Sequence, residues 1–260
     1  MVAAGDRIFG GFRVVQSIKC GSGSQGTLYK AVCEDGAMVP RGTAVALKVM
    51  PVHEDCSRQI VRMDARTAAL VRISHPNVVR YFGSFTEHDS FNDLHVIVQE
   101  FLDGETLKER LSRFPFGLDV DESIHIARSV ISAMEHVSSF GIVHRDIKPA
   151  NIFICHDGTV KLIDFEVAQS PENATASSSN NLNGSFDYMA PEFSATTFRG
   201  DVQSDVFSMG VVLHEMLTGQ RPYRAAGGIG IQMLSPFLQL VAHLSQRRRG
   251  GTQRGGAGVL

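Results

Sequence analysis

The sequence predicts an α+β fold in two lobes sharing a cleft: a small antiparallel sheet with one helix, followed by a mainly helical part. Short β-branched or apolar runs at residues 12–18, 28–32 and 43–49 are punctuated by Gly21, Gly23, Gly26, Gly36 and Gly42, the pattern of strands joined by tight turns. Within this strand-like region the spacing changes only at residues 58–73, where Ile60, Met63, Leu70 and Ile73 trace one helical face. Beyond Asp103-Gly104 the helical period takes over.

His75-Pro76 ends the first helix, because proline disfavours helical backbone in the residue before it. Residues 78–85 and 94–101 then read as two strands around a polar turn. In the second part, Asp121-Glu122 gives a helix an acidic start; Ile126, Val130, Met134 and Val137 recur at its period, and Gly141 stops it. Residues 151–154 and 159–163 flank Asp157-Gly158, which predicts a hairpin. Residues 170–187 are rich in Ser, Asn and Ala and read as a long loop, and residues 206–217 as a buried helix with Gly219 close behind its end. The expected organisation is a first lobe over 1–101, a second over 102–223, and an atypical, flexible tail over 224–260.

With 260 residues, 43% of them hydrophobic and 20% charged, the chain has an ordinary globular composition. A formal net charge of -2 argues against nucleic acid or an anionic membrane as partner. No apolar run approaches the roughly 20 residues a membrane span needs. Cys20, Cys33, Cys56 and Cys155 form no CxxC pair, as expected of reduced thiols in a cytoplasmic protein.

Gly21-Ser22-Gly23-Ser24-Gln25-Gly26 lies between two predicted strands. A dinucleotide site would need a helix straight after the glycines, whereas Leu28-Tyr29-Lys30-Ala31-Val32 reads as a strand. A glycine hairpin lets backbone N–H groups approach phosphates unobstructed. Val45-Ala46-Leu47-Lys48 follows on the next strand and supplies an ammonium that can reach the α- and β-phosphates. His144-Arg145-Asp146-Ile147-Lys148-Pro149-Ala150-Asn151 carries the decisive chemistry. It holds a carboxylate for an attacking hydroxyl (Asp146), an ammonium for the transferring phosphoryl group (Lys148) and an amide oxygen for a metal (Asn151). Leu162-Ile163-Asp164-Phe165-Glu166 follows, then Gly184-Ser185-Phe186-Asp187-Tyr188-Met189-Ala190-Pro191-Glu192, then Asp205-Val206-Phe207-Ser208-Met209-Gly210.

In this order, these motifs resemble the catalytic domain of eukaryotic-type protein kinases, and Lys148 resembles the serine/threonine branch. The resemblance covers residues 12 to about 223. It implies ATP and Mg²⁺ as cofactors, with Asn151 and Asp164 on the metal and Asp146, Lys148 and Lys48 catalytic. It further implies that Leu28, Ala46 and Phe153 sandwich the adenine, that Gln99 is the gatekeeper, and that the backbone from Glu100 to Leu102 hydrogen-bonds the base. Leu70, His144 and Phe165 match a packed column, the segment 184–192 shapes the site for a protein serine or threonine, and Asp205 braces the catalytic loop. Arg145 implies control by a phosphate in the 170–187 loop, placed there by an activating kinase or by autophosphorylation, with Thr175, Ser177, Ser178 and Ser179 as candidates.

Three departures stand against that pattern. Arg66 occupies the position of a helix glutamate that would pair with Lys48, Glu166 replaces a glycine, and the residues after Tyr223 do not resemble the family's later helices. A cross-cleft Arg66–Glu166 pair would explain the first two together. At this level two functions stay open: a protein serine/threonine kinase, and a pseudokinase that binds nucleotide or a partner with weak or no transfer. A small-molecule kinase is disfavoured by the 184–192 segment.

Overall fold

The computed structural model describes residues 8–18, 26–52, 57–88, 93–165, 186–190 and 201–222. The chain divides into two compact units: Met1–Gly104 with Cys155–Lys161, and Glu105–Ile154 with Leu162–Leu260. The expected α+β content is present, with the sheet and one helix in the first unit and the longer helices in the second.

In the first unit, strands β1 (Ile8–Phe9), β2 (Phe12–Ile18), β3 (Thr27–Cys33), β4 (Ala44–Val52), β5 (Tyr81–His88) and β6 (Asp93–Glu100) form one antiparallel sheet in the order β1-β2-β3-β4-β6-β5. Side chains alternate across a strand, so every second residue shares a face. One face buries Phe9, Phe12, Val14, Ala31, Cys33, Val45, Leu47, Val49, Leu94, Val96 and Val98 in a continuous core. Helix α1 (Ser57–Val71) buries Thr67 and Leu70, and Ile73 is buried just beyond it. Asp64 of α1 accepts a hydrogen bond from Ser84 Oγ of β5 at 2.7 Å, fixing the helix to the strand. The strand expected over 78–85 begins only at Tyr81. Val78 N donates to His75 O at 3.1 Å, so the turn after Pro76 takes up Val78 and Val79, which are buried outside β5, Val78 in an isolated bridge.

His95 of β6 is wholly buried, neither ring nitrogen has a hydrogen-bond partner, and Asp64 Oδ1 lies 3.8 Å away. Burial holds its pKa below the usual value and outweighs the attraction of Asp64. A histidine whose folded pKa is depressed binds fewer protons than in the unfolded chain. Its contribution is therefore intact above the unfolded pKa of about 6.5 and is lost as pH falls from there through the folded value. The melting temperature should drop between pH 7 and pH 5 in the wild type, and by less in His95→Leu. Equal slopes would contradict this.

In the second unit, helix α2 (Leu107–Arg113) opens on a capping box. Glu109 N donates to Thr106 Oγ1 at 3.2 Å and Thr106 N to Glu109 Oε2 at 2.8 Å. Helix α3 (Val120–Ser138) is capped by Asp119 and buries the expected stripe of Ile126, Val130, Met134 and Val137, together with Ala127 and Ala133. Arg110 of α2 pairs with Glu122 of α3 and with Glu105. The hairpin expected around Asp157-Gly158, whose turn Cys155–Lys161 belongs to the first unit, is formed by β8 (Ile152–Cys155) and β9 (Val160–Leu162), hydrogen-bonded in sheet order after the short β7 (Gly104–Thr106).

Helix α4 (Val202–Thr218) starts earlier than the expected 206–217, because Asp201 and Ser204 form a capping box that adds a polar first turn. It ends on Gly219, whose φ of 69° lies in the left-handed region. A methyl group there would meet the backbone of Pro115 and Gly117 as well. Gly219→Ala should destabilise the protein by roughly 1–3 kcal/mol, read as a lower denaturant midpoint at unchanged m-value. An unchanged midpoint would contradict the strain argument.

Among the described residues no helix is long and apolar enough to cross a membrane. Most of the loop expected over 170–187 and the whole tail over 224–260 lie outside the described residues.

Candidate functional site

The candidate nucleotide-contacting residues of the first unit lie on the sheet face opposite the main core, a face that also buries Ala46, Met50 and Ile97. Leu28 pairs with Lys48 and Lys30 with Ala46 across β3 and β4, and Ala46 pairs with Gln99 across β4 and β6. Directly opposed residues point to the same side, so Leu28, Ala46, Lys48 and Gln99 share that face. Gly21, Ser22, Gly23, Ser24 and Gln25 lie outside the described residues. Gly26 is described, and a methyl group on it would stand 2.6 Å from Val49 O, so only glycine lets the chain enter β3 at that distance from β4.

At the end of β6, the Glu100 carboxylate accepts from Lys161 Nζ at 2.6 Å and from Arg80 N at 2.7 Å. Those bonds engage its side chain, and its backbone N–H donates to Arg80 O at 2.8 Å. Leu102 follows outside the strand and is half-buried. Lys30 Nζ sits 4.1 Å from the centroid of the Phe101 ring, a cation–π contact.

In the second unit, residues 144–151 form a loop ending in the 3₁₀ turn Pro149–Asn151. Asp146 Oδ2 accepts from Lys148 Nζ at 2.6 Å and from Asn151 Nδ2 at 2.8 Å, while Asn151 Nδ2 also donates to Asp146 O at 2.8 Å. Both amide hydrogens of Asn151 are thus used inward, and its oxygen Oδ1 takes no part in these bonds. Ile163 N donates to Asn151 O at 3.0 Å, and the next residue is Asp164. The structure therefore gathers Asp146, Lys148, Asn151 and Asp164 around one short loop. Phe153 lies two residues further on, in β8.

His144 and Asp205 hold this loop in shape. The His144 ring, almost fully buried, accepts from Asp146 N through Nδ1 at 3.3 Å, so Nε2 carries the proton toward Ile163 O at 3.0 Å. Its ring meets Phe165 edge-on, centroids 4.6 Å apart. The Asp205 carboxylate accepts from His144 N at 2.8 Å and Arg145 N at 2.7 Å. Burial pushes the Asp205 carboxyl up, countered by the backbone N–H groups of His144 and Arg145 and by the charge of Arg145. Its seat in the first turn of α4 places it near the positive end of the helix dipole. Among the described residues, Arg145 (φ 67°) and Asp164 (φ 65°) are the non-glycine residues with left-handed backbone. Such strain, of order 1–3 kcal/mol each, persists only where surrounding bonds enforce it.

Farther along, Tyr188 OH donates to Glu215 Oε2 at 2.6 Å, and Ser208 Oγ donates to Tyr188 O at 2.8 Å. Burial raises the pKa of both Tyr188 and Glu215 and keeps the hydroxyl protonated. Neither Glu215 nor Lys161 was marked by the sequence, since each is one polar residue on an amphipathic element with a partner distant in the chain.

The family of protein kinase domains matches residues 14–245, a span that runs past Tyr223, where the recognised motifs stop. The chain belongs to the protein kinase domain family. A probable serine/threonine-protein kinase PknB of Lactococcus lactis is 34% identical over 223 residues, 85% of this chain and 34% of that protein. Serine/threonine-protein kinase PrkC of Bacillus subtilis is 32% identical over 230 residues, 88% of this chain and 34% of that protein. The plant mitogen-activated protein kinase kinase kinase ANP1 of Arabidopsis thaliana is 31% identical over 211 residues, 78% of this chain and 30% of that protein. The chain spans about a third of the length of the bacterial relatives it matches.

Protein kinases generally use ATP and Mg²⁺, and the donor set of this kinase domain fits such an ion. Asn151 Oδ1 and the Asp164 carboxylate are hard oxygen donors, and Mg²⁺ favours one or two of these together with water and substrate phosphates. Among the described residues no group of three or more His, Cys, Asp and Glu side chains forms a ready metal cage. Arg66, where the family pattern has a glutamate, lies on α1 and is half-buried, whereas Glu166, its expected partner, lies outside the described residues.

Proposed function

We propose that this kinase domain transfers the γ-phosphoryl group of ATP to a serine or threonine hydroxyl of a protein. The observation that carries the reading is the Asp146 carboxylate, held by Lys148 and Asn151 on a loop bonded to the residue before Asp164. The similarity to bacterial serine/threonine kinases supports the class of acceptor.

In this reading Asp146 orients the acceptor hydroxyl and takes its proton. The hydroxyl oxygen forms a bond to the γ-phosphorus as the bond to the β-phosphate oxygen breaks, and ADP carries away that electron pair. Lys148 balances charge on the moving phosphoryl group, and Lys48 binds the α- and β-phosphates together with the glycine-rich sequence Gly21, Ser22, Gly23, Ser24, Gln25 and Gly26. Leu28, Ala46 and Phe153 pack the adenine, and the backbone of Glu100 and Leu102 hydrogen-bonds it. Asn151 and Asp164 would hold Mg²⁺, which when bound neutralises phosphate charge.

A cytoplasmic setting belongs to the same proposal, as does activation by a phosphate in the 170–187 loop, from another kinase or from this one. A second reading, a pseudokinase, is motivated by Arg66 and Glu166. The experiment that separates the two incubates the chain with Mg-ATP and a basic protein substrate, beside Asp146→Asn. Transfer by the wild type alone supports the kinase. Thermal stabilisation by nucleotide with no transfer supports the pseudokinase.

A further inference from the structure

The 3₁₀ turn Phe186–Tyr188 is tied to α4 by two hydrogen bonds at Tyr188 and by one charge pair. That pair joins Asp187 to the guanidinium of Arg221, a residue beyond the end of α4 that none of the kinase motifs includes. How Arg221 reaches Asp187 follows from the helix cap. Gly219 takes the left-handed conformation and donates to Glu215 O at 2.8 Å, reversing the chain. Gln220 O then meets His214 Nδ1 at 2.9 Å and accepts from Thr218 Oγ1 at 3.0 Å, holding the reversed chain against the last turn of α4. Glu215, at the base of this turn, is the acceptor of Tyr188 OH. One helix end thus supplies both a carboxylate for Tyr188 and a cation for its neighbour Asp187.

The Asp187 side chain is only 17% exposed and that of Arg221 35%, so the pair is better shielded from solvent than an ordinary surface bridge. Removing either partner strands a partly buried charge. We propose that Arg221 is a positioning residue: through Asp187 it latches the segment 186–190 onto α4 and so fixes the surface that receives the peptide substrate. The peptide-binding role of this segment rests on the proposed function, whereas the latch itself rests on the geometry of Arg221 and Asp187.

The test compares wild type, Arg221→Ala, Asp187→Ala, the double alanine variant and the swapped pair Arg221→Asp with Asp187→Arg, all in the full chain. Hydrogen exchange at the amides of residues 186–190 is read without nucleotide, and KM for a basic peptide and for ATP is read separately. Each single variant should speed exchange in that segment and raise peptide KM roughly tenfold at unchanged ATP KM. The double alanine variant should be no worse than either single one, and the swap should recover part of the loss. Should a single alanine variant melt below the assay temperature, Arg221→Lys and the swapped pair carry the same comparison. Wild-type exchange and KM in the single variants, or additive losses in the double variant, would overturn the latch. If the wild type shows no transfer, the proposed function fails while the exchange data still decide the latch.

Discussion

Asp146→Asn should lower phosphoryl transfer by roughly 10²–10⁴-fold, the usual contribution of a positioned general base, with the fold unchanged. Asparagine keeps the shape of the side chain, and its amide oxygen can still accept from Lys148 Nζ, which now stands 2.6 Å from Asp146 Oδ2. It cannot take a proton from an attacking hydroxyl. The loop should survive, because Asn151 Nδ2 also bonds the backbone oxygen of residue 146 at 2.8 Å and Asp205 holds His144 N and Arg145 N. Steady-state transfer to a basic protein, with a melting curve beside it, reads both effects. A variant that melts like the wild type and transfers phosphate at the wild-type rate would remove Asp146 from the reaction.

The second large effect is expected at Asp205, which touches no substrate in this account. Asp205→Ala leaves the N–H groups of His144 and Arg145 without their acceptor in a buried place, at a cost of about 3–5 kcal/mol. The same bonds hold Arg145 at φ 67°, so the backbone leading into Asp146 should relax toward ordinary angles. Denaturant unfolding should show the loss, and transfer measured well below the new melting temperature should fall at least about tenfold as Asp146 loses its placement. Asp205→Asn, which keeps one acceptor oxygen, should fall between. A stability change under about 1 kcal/mol would mean that the loop is held by other contacts.

Much of this arrangement is legible in the chain because local chemistry dictates it. The residues from His144 to Asn151 form their bonds among themselves, so their order alone implies the geometry. Lys48 and Ala46 sit on the other side of the sheet because Val45, Leu47 and Val49 must fill the core. Asp205 lies far from the loop it braces and was legible only through its motif.

Features set by distant partners or by caps were not legible. The start of α4 depends on the Asp201 and Ser204 capping box, which precedes the apolar run that marks the helix. Val78 and Val79 have strand-like side chains, but the turn after Pro76 keeps them out of β5. The Lys161–Glu100 and Arg221–Asp187 pairs join residues far apart in sequence, and nothing in the neighbourhood of either lysine or arginine names its partner.

The proposed reaction requires both compact units to serve one nucleotide. A crystal structure of the chain with Mg²⁺ and a non-hydrolysable ATP analogue tests this directly. It should show Asn151 Oδ1 and an Asp164 oxygen about 2.1 Å from the ion, with Lys48 Nζ within hydrogen-bond reach of the α- or β-phosphate and Asp146 facing the γ-phosphate. A nucleotide bound elsewhere, or an ion held without Asn151 and Asp164, would contradict it.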